Sequence, residues 1–342
     1  MRSLRALRTF VIFLTATLAA PQLSFGQYSI TTVAGGGPNN LNALQTGIGY
    51  AVSVVQDSLG NTYISDAWSS QVFKVDTSGV LTIYAGNGVF GYSGDGGPAT
   101  SAALNSPDGL AFDASGNLYI ADTDNSVIRE VLASDGTIQT VAGNATAGYS
   151  GDGGAATAAE LNDPFGVFVD GSGNLFIADT SNCLIRKVSG GTISTVAGTP
   201  DTIATQPCSY AGDGGLATNA LLNQPAGVFV DGAGNIYIAD TNNSLIRVVN
   251  PGSQPVTIGN ITIPAGDIQT VAGVQYDSSD GDSCQFTGDN GAATSAYLCQ
   301  PQGVFADGSG NIYIADNANF AVREVVTGGN ISTVAGTLGS EG

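Results

Sequence analysis

The stretch GVFVDGSGNLFIADTSNCLIRKVSGGTISTVAG, residues 166–198, holds four apolar runs separated by three short turns. GVFVD (166–170) turns at GSGN into NLFIAD (174–179), TSN leads into LIRKV (184–188), and SGG leads into ISTVAG (193–198). Short connections of Gly, Asn, Ser and Asp are the chemistry of tight hairpins, so neighbouring runs are antiparallel strands and the unit is a four-stranded meander. Its strands are apolar on both faces, which requires cover on both sides.

The same unit recurs. NTYISD (61–66), NLYIAD (117–122), NLFIAD (174–179), NIYIAD (235–240) and NIYIAD (311–316) end in Asp66, Asp122, Asp179, Asp240 and Asp316. TVAG or a near copy stands at 32–35, 83–86, 140–143, 195–198, 270–273 and 333–336. A fixed period of this size marks a repeat architecture, and radial stacking covers both faces of every four-stranded blade. The expected fold is therefore an all-β propeller of four-stranded antiparallel blades.

The succession of Pro-x-Gly, VDxxGNxYIADTxNxxIRKV and ISTVAG over roughly residues 30 to 336 resembles NHL repeats, in the form that carries GDGG-x-A between blades, as in the NHL domain of teneurins. That resemblance implies six blades. This chain has five complete repeats plus one extra outer strand near its N-terminus, ITTVAG (30–35). Either five blades close the ring, or the chain is an incomplete six-bladed toroid. The lone strand favours the second, and an open toroid exposes a blade face and two strand edges, which invites self-association.

Four glycine-rich stretches, 91–107, 148–164, 209–225 and 285–301, join outermost to innermost strands. A phosphate cradle needs a helix N-terminus and usually a lysine, and none of the four stretches has a lysine. They read as blade-to-blade crossovers in which Asp95, Asp152, Asp213 and Asp289 cap a short turn and line a candidate binding face, with Leu104, Leu161, Leu222 and Leu298 as anchors. Arg129, Arg186, Arg247 and Arg323 each stand seven residues after Asp122, Asp179, Asp240 and Asp316. Across a four-residue hairpin turn these pairs lie diagonally on one sheet face, the geometry of a structural ion pair. The first unit departs from this, with Lys74 one place further on.

The chain has no histidine, which excludes His-based acid–base chemistry, Ser-His-Asp triads and His-ligated metals. No catalytic residue and no cofactor is expected. The segment DSSDGDS (277–283) places Asp277, Asp280 and Asp282 at spacings that miss the EF-hand pattern; it reads as a solvated loop, with Ca²⁺ binding as the alternative. The four cysteines suit an exported protein and are disulfide candidates: Cys183 lies in a turn and Cys208 in the next crossover on the same face, within pairing reach, while Cys284 and Cys299 both lie in one crossover, flanking GDNG; free thiols are the alternative.

Residues 1–26 read as an export signal, with Arg2, Arg5 and Arg8 ahead of an apolar run from Phe10 to Ala20. That run is shorter than the roughly 20 residues a membrane-spanning helix needs. Residues 27–342 are then a single propeller domain in a secreted, periplasmic or extracellular setting. Signal removal takes three of nine basic residues and none of the 28 acidic ones, moving the net charge from −19 to −22. Such a surface repels nucleic acid and anionic lipid. The expected function is a non-catalytic binding scaffold for a protein, peptide or glycan. The alternative, implied by lactonases and lyases of the wider six-bladed superfamily, is a metal-dependent lyase or hydrolase.

Overall fold

The computed structural model describes residues 40–200, 208–275 and 286–336. These form a five-bladed β-propeller in which every blade is a four-stranded antiparallel meander. Blade three, which contains the stretch 166–198, has strands Pro164–Val169, Leu175–Asp179, Leu184–Ser189 and Thr192–Ala197, paired in chain order. Blade one runs Ala51–Gln56, Thr62–Asp66, Gln71–Val75 and Val80–Ala85, and blade two runs Pro107–Phe112, Leu118–Asp122, Val127–Val131 and Ile138–Ala142. Blade four has Gly227–Val230, Ile236–Asp240, Leu245–Val249 and Asp267–Ala272. Blade five has Pro301–Ala306, Ile312–Asp316, Ala321–Val325 and Ile331–Ala335.

The core consists of the interfaces between blades. Ala121, Ile128 and Ala142 of blade two pack on Val167, Leu175 and Ile177 of blade three, and the same pairing of faces joins blades three to four and four to five. Innermost strands touch in succession from blade one to blade five. They do so closely: a Cβ on Gly109, Gly166 or Gly227 would collide with the backbone carbonyl of Phe165, Ala226 or Gln302 in the next blade. This is why the entering Pro-x-Gly needs its glycine. Phe168, Phe229 and Phe305 continue the contact as edge-on ring pairs, each 4.9 Å between centroids.

TVAG ends in glycine for a different reason. Gly143 has φ +87°, and a Cβ there would strike the carbonyl of Ser126, itself left-handed at φ +55° in the turn between the second and third strands. Each crossover then runs along the outer edge of the blade it enters, as Leu41–Asn42 does on the outermost strand of blade one and Gly215–Leu216 on that of blade four, which covers the exposed sheet edge. Blade four contains one feature the repeat did not foretell. Val256–Ile258 and Ile261–Ile263 form a small hairpin between its third and fourth strands, pinned by Asn250, whose Nδ2 donates to the carbonyls of Gln254 and Ile263.

Candidate binding face formed by crossovers and turns

The second strand of each blade ends at its aspartate, and in blades two to five a single 3-10 turn, Thr123–Asn125 in blade two, reverses the chain through a left-handed residue. Ile120 pairs with Arg129, so the arginine and Asp122 lie on the same face, one diagonal step apart. Arg129 Nη1 donates to Asp122 Oδ2 at 3.2 Å, and both side chains are fully buried. The corresponding distances are 3.2 Å for Arg186–Asp179, 3.5 Å for Arg247–Asp240 and 3.3 Å for Arg323–Asp316.

The guanidinium is shared between two carboxylates. Arg129 Nη2 donates to Asp95 Oδ1 at 2.6 Å, and Arg186, Arg247 and Arg323 reach Asp152, Asp213 and Asp289 at 2.6, 2.6 and 2.7 Å. The aspartates of the crossovers and those of the strands, read separately in the sequence, thus converge on one arginine per blade. Each guanidinium also lies 4.4–5.1 Å from a ring of its crossover, Tyr92, Tyr149, Tyr210 or Phe286. The second oxygen of Asp95, Asp152 and Asp213 accepts the backbone N–H of Thr140, Thr195 and Thr270 on the outermost strand. One carboxylate therefore fastens the crossover to two strands.

This corrects the expected role of these aspartates as turn caps. The short turn Ala99–Ser101 begins after Pro98 with no side-chain cap, and the same holds after Ala155, Leu216 and Ala292. The leucine anchors Leu104, Leu161, Leu222 and Leu298 are buried. In blade one Phe73 pairs with Ile64 where the other blades have arginine, and Asp66 instead accepts the backbone N–H groups of Gly49 and Tyr50.

Burial sets the electrostatics of the strand aspartates. It raises Asp122, Asp179 and Asp240 to about 6, against the lowering effect of their hydrogen bonds and of the arginine, and it raises Asp316 as well. Asp152 goes the other way: burial pushes it up, but the hydrogen bonds from Thr195 and the charge of Arg186 together hold it below the usual carboxylate range.

Cys183 and Cys208 form a disulfide with Cα atoms 5.7 Å apart, linking the blade-three turn to the crossover that enters blade four. Cys299 is buried and its N–H donates to Asp316 Oδ1 at 2.6 Å, while Cys284 lies outside the described residues, as do Asp277, Asp280 and Asp282. Among the described residues, no group of three or more Cys, Asp and Glu is arranged to hold a metal ion, and no helix is long and apolar enough to cross a membrane.

Two features of this face escaped the sequence reading. The middle residue of Pro-x-Gly differs in every blade: Asp108, Phe165, Ala226 and Gln302, with Val52 in blade one. Asp108 is buried, and burial first, then the charges of Asp124, Asp122 and Asp163, raise it to about 7 against a hydrogen bond from Thr123. The second is apolar. Trp68, in the turn after Asp66, is 73 % exposed, and Val89 and Phe90 in the next crossover are 61 % and 63 % exposed. Gly88 lies beside the Ser69 carbonyl and the Gln71 side chain, which brings the two segments together. The signal for both was departure from the repeat.

The teneurin NHL domain family matches residues 50–150 and 145–212, and the NHL repeat family matches residues 222–249. Teneurin-1 of Mus musculus is 27% identical over 284 residues, which cover 77% of this chain and 10% of that protein. The chain thus spans about a tenth of the teneurin's length. Human NHL repeat-containing protein 2 is 31% identical over 169 residues, 46% of this chain and 22% of that protein. A gluconolactonase from Xanthomonas campestris superposes with a TM-score of 0.53 at 13% identity, over 90% of this chain and 80% of that one, a likeness of fold. With its recurrent aspartate–arginine strands and glycine-rich crossovers, the chain belongs to the NHL-repeat β-propeller family.

Proposed function

We propose that this protein is an exported scaffold that binds a protein, peptide or glycan on the face built from its crossovers and turns. The observation that carries the reading is the division of labour on that face. The repeated charged groups are consumed in ion pairs that hold the crossovers still, whereas Trp68, Val89 and Phe90 project outward. Exposed aromatic groups on a rigid platform supply contact area at low entropic cost. Export is supported by the N-terminal pattern and by the Cys183–Cys208 disulfide.

Trp68 is the single tryptophan of the chain, so its emission reports on this patch alone. Screening oligosaccharide and peptide arrays, then titrating the hits against Trp68 fluorescence, tests the proposal. A bound ligand shifts the emission, and Trp68→Ala weakens its binding about tenfold or more. Binding that leaves the emission unchanged and survives Trp68→Ala places the site elsewhere. A second reading, a metal-dependent hydrolase or lyase, rests on Asp108, a buried carboxyl without an arginine partner at a position that does not repeat. Calorimetric titration with Ca²⁺, Mg²⁺ and Mn²⁺ on wild type and Asp108→Asn decides it: heat of binding in the wild type alone supports that chemistry.

A further inference from the structure

We propose that the cleft between blades three and four is a binding site for a small carboxylic acid with an apolar body, its charge met by the Lys187 ammonium. The cleft has a volume of about 390 Å³ and is lined by Phe176, Lys187 and Val196 of blade three and by Val230, Ile236 and Val249 of blade four. Asp170 and Gly234, in the turns between first and second strands, also border it. It therefore lies toward the end of the blades opposite to the turn that carries Trp68, and the site is independent of the scaffold reading above.

Small residues at two repeat positions open the cleft. Between blades one and two, Tyr63 packs edge-on against Tyr84 and Phe112, with ring centroids 4.8 and 4.9 Å apart. Phe176 occupies the position of Tyr63, but Val196 and Val230 stand where Tyr84 and Phe112 do. The junction of blades two and three has valines there as well, Val141 and Val169, yet in it Glu130 is buried and accepts from Gln139 Nε2 at 2.7 Å. At the junction of blades four and five the small hairpin packs Val256, Ile258 and Ile261 on the interface.

The chemistry of the cleft follows from what Lys187 replaces. It stands where Glu130 and Glu324 stand in blades two and five, opposite the aromatic residue of the second strand. Those glutamates accept hydrogen bonds from Gln139 and Tyr313. In blade three Phe176 has no hydroxyl, and Ser194 faces Lys187 where Gln139 faces Glu130. Every ion pair among the described residues is made by an arginine, so Lys187 has none. Its Nζ lies 5.3 Å from the centre of the Phe176 ring. Asp170 engages both oxygens with Ser172 and Asn174 of its own turn. A half-buried ammonium beside an apolar floor favours an anion whose head meets the charge and whose body displaces water from the floor. With one ammonium present and Asp170 bordering the cleft, a single negative charge is matched and a double one is not, which selects a carboxylate over a phosphate monoester.

Calorimetric titration and saturation-transfer NMR of the whole protein at pH 8 test this, with sodium octanoate and 4-phenylbutyrate as probes and octylamine and octyl phosphate as controls. Either acid is expected to bind at one site with a Kd of about 1 mM or tighter, without shifting Trp68 emission. Lys187→Met keeps the apolar stem, removes the charge and should weaken binding about tenfold or more, whereas Lys187→Arg should retain it. Val230→Phe restores the ring found at Phe112 and should close the site; Val196→Tyr serves the same purpose if that variant does not fold. The proposal is overturned if neither acid binds, if octylamine or octyl phosphate binds as tightly, if Lys187→Met or a folded plugged variant binds like the wild type, or if binding shifts Trp68 emission and so belongs to the other face.

Discussion

Arg186 donates through Nη2 to Asp152 Oδ1 at 2.6 Å, joining residues 34 positions apart, a rim crossover and the third strand of blade three. Because the same guanidinium neutralises the fully buried Asp179, one side chain holds together the parts that make the candidate binding face. The position of the crossover is thereby set by buried charge and not by loop composition.

Removing that arginine should be costly. Arg186→Ala leaves Asp179 buried without its cation, and breaking a buried pair this way destabilises by about 3–5 kcal/mol. Asp152→Asn should cost only about 1 kcal/mol, since its carboxylate is partly exposed and the amide oxygen still accepts. Urea unfolding of both variants checks the ranking; equal costs would show that the exposed contact matters as much as the buried one.

The close passage of innermost strands predicts a contrast between two glycines. Gly166→Ala drives a Cβ into the carbonyl of Ala226 and should destabilise by roughly 1–3 kcal/mol. Gly171, in the next turn, has open space around its would-be Cβ and no positive φ, so Gly171→Ala should be neutral or stabilising by up to about 1 kcal/mol. Thermal melting of the two single variants is sufficient.

The disulfide closes a loop of sequence separation 25, for which the chain-entropy estimate is about 3 kcal/mol. Cys183→Ser with Cys208→Ser should lower stability by up to that amount in oxidising buffer. Thermal melting of the double variant checks it, and a variant as stable as the wild type would mean that the unfolded chain gains little freedom.

The strands, turns and aspartate–arginine pairs were legible in the sequence because recurrence at fixed spacing filters out accident, and because a four-residue hairpin turn leaves the pair only one diagonal arrangement. The partnership of Asp95 with Arg129 was not legible. It spans 34 residues and depends on how the crossover folds back over the blade it enters, which no local pattern encodes. Asp108 was hidden by the same filter that exposed the rest, since a search for what repeats passes over the residue that does not.

Asp108 also gives the sharpest pH prediction. Its carboxyl is raised from 3.8 to about 7 in the folded protein, so between these values the folded state holds a proton that the unfolded chain has released. The stability this contributes is complete below about pH 4 and is lost as pH rises through about 7. Asp122, Asp179 and Asp240, raised to about 6, act in the same direction and lose their contribution slightly earlier. Asp108→Asn removes one titrating group and keeps the shape, so its stability relative to wild type should climb between pH 4 and pH 8, by as much as about 4 kcal/mol. The intercept depends on how the amide is received by Thr123; the slope does not. Parallel melting curves of the two proteins across that range would show that Asp108 ionises as freely as an exposed carboxylate, and would remove the ground for giving it a role in cation chemistry.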